Sequence, residues 1–142
     1  MPLKFYEDFD VFKIFPLDVG LLGAMTDVPA SQLLVGDNCF TEFKGAFTEC
    51  YVNEQLARIQ MPTYYFSGND TEIEIDFAVQ TENRVIPIEV KSEESVRSKS
   101  LKTYIDKNPS LKGLRVSMKN YIDQGWMENI GLYAIEGFLR KA

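Results

Sequence analysis

Asp76, Glu89 and Lys91 are the residues whose types and spacing could do chemistry, and they fall in two consecutive strand-like runs, EIEIDFAVQ (72–80) and RVIPIEVKS (84–92). Two carboxylates beside an ammonium, with the lysine two positions after one acid, suit metal-assisted phosphodiester cleavage. The acids hold a divalent cation, and the ammonium offsets charge on the attacking water and the phosphorane. Glu and Lys also decorate exposed strand faces, where cross-strand ion pairs add only about 0.5 kcal/mol. Spacing alone leaves both readings open.

The elements that must position these groups are legible from periodicity. Alternation in the first run sends Ile73, Ile75, Phe77 and Val79 to one face, and Glu74 and Asp76 to the other. In the second, Ile86, Ile88 and Val90 share a face while Glu89 and Lys91 oppose them. Thr81, Glu82 and Asn83 join the runs as a tight antiparallel hairpin. Upstream, residues 40–60 contain no proline and the single glycine Gly45, and they predict a helix with Ala46, Val52, Leu56 and Ile59 inward. Glu49 falls in line with that apolar stripe. An unpaired carboxylate there costs several kcal/mol or titrates to neutral, unless a cation or lysine lies close or its head reaches water at the stripe's edge.

Downstream, residues 95–108 predict an amphipathic helix with Leu101, Tyr104 and Ile105 inward, stopping before Pro109. Residues 111–118 and 130–135 predict two further strands, the first joined to the Lys91 strand through that helix and so parallel to it. The tail, 136–142, reads as a short helical turn. PLDVGLLGAM (16–25) reads as a short strand end leading into a small helix, with Asp18 either functional or, the commoner case, stabilising the turn. Phe40, Phe43 and Phe47 are expected in the core, and Trp126 over the sheet edge.

The order of parts, helix with an acid, strand, hairpin strand with Asp, strand with Glu-x-Lys, then helix, resembles the PD-(D/E)XK nuclease superfamily. FKIFPLDVGLLGAM (12–25), FKGAFTECYVNEQL (43–56), EIDFAVQ (74–80) and VIPIEVKS (85–92) together resemble a narrower family. It is the uncharacterised domain found C-terminal to AAA-type ATPase domains in bacterial and archaeal proteins, and the resemblance spans roughly residues 2–138. It implies an α/β fold with a restriction-endonuclease-like core, a mixed central sheet flanked by helices, and a single unit over 1–142 without the family's ATPase. It also implies that Asp76 and Glu89 are the primary metal ligands, with Glu49 as the helix-borne acid and the Val90 carbonyl as a further oxygen ligand. Lys91 would orient or activate the water. The superfamily's proline is replaced here by Ile75.

Composition narrows the field. The chain has 142 residues, 45% of them hydrophobic, enough for one full core and too few for two ordinary domains. No segment approaches the roughly 20 apolar residues of a membrane span, and the N-terminus lacks a basic region followed by an apolar run. The absence of histidine excludes Ser-His-Asp hydrolysis and His-metal sites. Oxygen ligands without histidine or thiolate favour magnesium or manganese over zinc. No GxxxxGK[ST] motif occurs, so no ATP site is expected in this chain. Cys39 and Cys50 read as reduced thiols of a cytoplasmic protein.

Net charge is −6, which argues against a general nucleic-acid binder. The distribution is uneven: between residues 97 and 119 lie Arg97, Lys99, Lys102, Lys107, Lys112, Arg115 and Lys119 against the single acid Asp106. Directly after the Glu-x-Lys strand, this segment could engage phosphates, with Arg97, Lys99 and Lys102 nearest, or form an ordinary solvated helix face. Three functions follow as expectations. The first is a magnesium- or manganese-dependent nuclease acting on nucleic acid, DNA in the first instance. The second is a nuclease-like module that binds nucleic acid or an ATPase partner without cutting. The third is a structural module in which Glu49 and Lys91 form a buried ion pair.

Overall fold

A computed structural model describes residues 2–27, 41–68, 73–92 and 98–142. The order is α1 (Val19–Met25), α2 (Thr41–Arg58), β1 (Thr63–Ser67), β2 (Glu74–Gln80), β3 (Val85–Val90), α3 (Lys99–Lys107), β4 (Gly113–Ser117), β5 (Ile122–Asp123), β6 (Met127–Gly131) and α4 (Ile135–Leu139). The strands form one mixed six-stranded sheet in the order β1-β2-β3-β4-β6-β5. β1, β2 and β3 pair antiparallel, and β4 joins β3 in parallel through the α3 crossover. β6 runs parallel to β4, and β5 pairs antiparallel with β6 at the far edge.

Alternation explains most of the layering. Phe77, Val79, Ile86, Ile88, Val90, Leu114, Val116 and Ile130 cover one sheet face, against Val52 and Leu56 of α2 and Ile135 and Leu139 of α4. The other face packs Leu101 and Ile105 of α3 against Ile75 and Met127. Gly113 permits this approach, because a Cβ there would sit 3.0 Å from Leu101 Cδ2. The hairpin forms as its sequence dictates, pairing Phe77 with Ile88 and Gln80 with Val85. Among the described residues no helix is long and apolar enough to cross a membrane.

Four expectations need correction. Ile75 does not share the face of Phe77 and Val79. Between the pairs Tyr64–Ala78 and Phe66–Ile75, β1 supplies Tyr65 alone while β2 supplies Asp76 and Phe77. That extra residue is a β-bulge, and it turns Ile75 over to the α3 side. The strand expected over 130–135 is instead β6 ending at Gly131, followed by a 3-10 turn (Leu132–Ala134) and α4. On α2, Ala46 is exposed, and the buried residues are Cys50, Val52, Gln55 and Leu56. Phe43 is 40% exposed instead of buried. Phe40 and Cys39 lie outside the described residues.

Candidate functional site

The bulge in β2 decides where Asp76 points. Beyond the last paired residues, Phe77 and Ile88, the Asp76 Oδ2 atom accepts the Val90 backbone N–H at 2.7 Å. A side chain therefore takes a strand N–H that a ladder carbonyl would otherwise receive. Burial raises the Asp76 carboxyl to about 6; the Val90 hydrogen bond and the Lys13 ammonium oppose the rise, while Glu49 and Glu89 add to it. Asp76 thus feels the helix acid on one side and the β3 acid on the other.

Glu89 is 5% exposed. Its Oε1 lies 2.9 Å from Lys91 Nζ, and Lys91 keeps about a third of its side chain in solvent. The second oxygen, Oε2, is buried with no hydrogen-bond partner among the described residues. A buried carboxylate oxygen left in this way carries a desolvation cost that a cation or a donor would remove. Across the parallel pairing, Glu89 aligns with Arg115, which is 1% exposed and shares its sheet face. Burial lowers the Arg115 guanidinium, and Glu89 offsets part of that. Arg115 Nε donates to Asn129 Oδ1 at 2.8 Å, and Ser117 Oγ donates to the same oxygen at 2.8 Å.

Glu49 reaches the site from α2. Its partner is Lys13, whose Nζ lies 3.8 Å from Glu49 Oε2 and 3.0 Å from Glu74 Oε1. The expected Glu49–Lys91 ion pair is therefore replaced by two separate pairs, Glu49–Lys13 and Glu89–Lys91. Among the described residues no group of three acids or thiols stands close enough to enclose an ion.

The basic segment is less uniform than its composition suggests. Lys99 is exposed at the start of α3. Lys102 pairs with Asp106 and lies 5.2 Å from the Trp126 ring centroid. Lys112 is held by Asp123 at 3.1 Å and Glu128 at 3.7 Å, and Arg115 belongs to the interior. Arg97 lies outside the described residues. Asp18 caps α1, its Oδ1 accepting the Leu21 N–H at 2.8 Å, as a turn-stabilising aspartate should. Cys50 is a buried free thiol whose protonated form burial favours.

Sequence reasoning misses Lys13 and reads Arg115 only as one cation of the basic segment. A signal existed for both. Lys13 is a lone cation between Phe12 and Ile14, and Arg115 is the one charge inside the apolar strand LRVSM.

Residues 44–134 match the family model described as Domain of unknown function (DUF4143), more than half of the chain. The chain belongs to the DUF4143 family. No curated protein and no solved structure matches it. Glu49, Asp76, Glu89 and Lys91 all lie inside the DUF4143 match, whereas Lys13 precedes it.

Proposed function

We propose that this DUF4143 chain is a restriction-endonuclease-like hydrolase of the PD-(D/E)XK type, cleaving DNA phosphodiester bonds with magnesium or manganese. The observation that carries the reading is Glu89 Oε2, a buried carboxylate oxygen without a partner among the described residues. Beside it stands Asp76, raised to about 6 mainly by burial, with nearby carboxylates adding to the rise. Such a pair is stabilised by a hard cation, so the residues fit one. Asp76 and Glu89 would hold the ion, joined by the Val90 carbonyl and by Glu49 once it is released from Lys13. When bound, the ion would polarise the scissile phosphate and lower the pKa of water. Lys91, anchored through Glu89 Oε1 and partly in solvent, is suited to orient that water and to offset developing negative charge. Lys99 and Lys102, with Arg97, would draw the phosphate backbone toward the site.

The resemblance to domains that follow AAA-type ATPases makes an ATPase domain or subunit the proposed partner. The free Cys50 thiol accords with a cytoplasmic setting. The test is cleavage of end-labelled single- and double-stranded DNA with magnesium or manganese. Wild type should cut, and Asp76→Asn, Glu89→Gln and Lys91→Met should each lose about 100-fold or more. Equal residual cleavage in all four proteins would trace the activity to a contaminant.

One observation favours a second reading. Lys91 already compensates Glu89 Oε1, and Lys13 compensates Glu49, so much of the site's charge is balanced from within. A module that binds nucleic acid or its ATPase partner without cutting would show DNA retention in a gel shift and no product with any divalent ion.

A further inference from the structure

Lys13 sits between Glu74 and Glu49, the second of which the proposed function assigns to the metal. Its ammonium lies 3.0 Å from Glu74, 3.8 Å from Glu49 and 5.3 Å from the Tyr65 ring centroid. It also acts on Asp76 through space. Only a quarter of the Lys13 side chain remains in solvent.

The chain around it explains this placement. Residues 12–15 alternate, so that Lys13 and Phe15 turn inward while Phe12 and Ile14 stay 70% and 82% exposed. Phe15 stacks on Phe77 with ring centroids 5.6 Å apart, and the Pro16 carbonyl lies 3.8 Å from the Cys50 Sγ. Lys13 is therefore held two residues from an aromatic anchor in the core. An exposed surface lysine would have no such tether.

We infer that Lys13 is a built-in counter-ion of the Glu49–Glu74–Asp76 group and sets the divalent-cation affinity of the site by competing with the ion. The inference rests on the metal-site reading proposed above. Its physical basis is simple. A cation that takes Glu49 competes with Lys13, 3.8 Å from its Oε2, and a fixed positive charge a few ångströms away repels a second one. Glu74, which no reading makes a ligand, supplies the shortest contact and keeps the ammonium parked beside the site. Because Lys13 lies before the family match at 44–134, this tuning belongs to the segment ahead of the matched domain.

The experiment measures manganese binding at pH 7 and low ionic strength, from the paramagnetic resonance signal of free Mn2+. The proteins are wild type, Lys13→Met, Lys13→Arg and Asp76→Asn, each checked for folding by circular dichroism. Lys13→Met should bind Mn2+ about tenfold more tightly than wild type, and Lys13→Arg should stay within about twofold of it. Asp76→Asn should lose binding. Equal affinity in wild type and Lys13→Met, with binding still lost in Asp76→Asn, overturns the role of Lys13 and leaves the metal site standing. Absence of binding in both wild type and Lys13→Met overturns both readings. Tightening in Lys13→Met that persists with Asp76→Asn added moves the ion elsewhere and overturns both as well. If Lys13→Met does not fold, Lys13→Met/Glu74→Gln keeps the local charge balance and releases Glu49. That variant should bind about threefold more tightly than wild type; no gain overturns the inference.

Discussion

Asp76 and Val90 are joined by a 2.7 Å hydrogen bond from backbone to carboxylate, at the point where the β2–β3 ladder gives way to the bulge. This contact ties the aspartate to the strand that carries Glu89 and Lys91. The bulge therefore sets where Asp76 meets β3, while Glu89 is placed by the regular pairing of β3 with β4.

Asp76 should make stability fall with rising pH. Its carboxyl is raised from the ordinary 3.8 to about 6 in the folded protein. Between those values the native state binds more protons than the unfolded state. The stabilisation from protonation is full below about pH 4 and is lost as pH rises through about 6. Asp76→Asn keeps an oxygen acceptor for Val90 and removes the charge. It should raise stability above pH 6 by at most about 3 kcal/mol, with the gain vanishing near pH 4. Urea melts across pH 4 to 8 check this; a gain that does not change with pH would mean another cause.

Breaking the Glu89–Lys91 pair from one side should cost more than removing both partners. Lys91→Met leaves a carboxylate that is 6% exposed without its ammonium. The single change should destabilise by about 1–2 kcal/mol, less than for a fully buried pair because Lys91 is partly in solvent. Lys91→Met with Glu89→Gln should recover most of the loss. A double-mutant cycle by urea denaturation measures the difference, and simple additivity of the two changes would refute the pairing.

Arg115 should behave as an interior residue and not as part of a phosphate-binding stripe. Arg115→Met leaves Asn129 Oδ1 with Ser117 as its remaining donor and takes Nη1 away from the hydroxyl of Ser98, 3.5 Å from it. Loss of about 2–4 kcal/mol is expected, and Lys at this position should not restore it, because an ammonium cannot reproduce the guanidinium fork. Thermal unfolding of the two variants decides it. Wild-type stability in Arg115→Met would place the side chain outside the network.

Lys99 should matter more for DNA affinity than Lys102. Lys99 is exposed, whereas Lys102 is engaged by Asp106 and Trp126. At low salt, Lys99→Glu should weaken DNA binding by about tenfold and Lys102→Glu by less, with both effects shrinking as salt rises. Fluorescence anisotropy at two salt concentrations tests the order. Unchanged affinity in both variants would remove α3 from the interface.

Local periodicity determined a good deal here. The 2.0-residue alternation of β3, the hairpin with β2, the α3 stripe ending before Pro109 and the capping role of Asp18 all follow from short-range sterics and hydrogen bonding. The acids Asp76 and Glu89 and the lysine Lys91 stood out for the same reason, because strand spacing brings them to one end of the hairpin. Tertiary structure decided the rest. A bulge depends on how β1 lies against β2, so alternation within β2 alone put Ile75 on the wrong face. Which partner wins is decided by the fold: Glu49 found Lys13, 36 positions earlier, and Lys91, just past the end of β3, found Glu89 two residues before it. Arg115 looked like one cation in a basic run, yet parallel pairing with β3 and β6 buried it beside Glu89 and Asn129. Periodicity fixes which side of an element a residue faces, but the neighbours it meets there depend on contacts between distant segments.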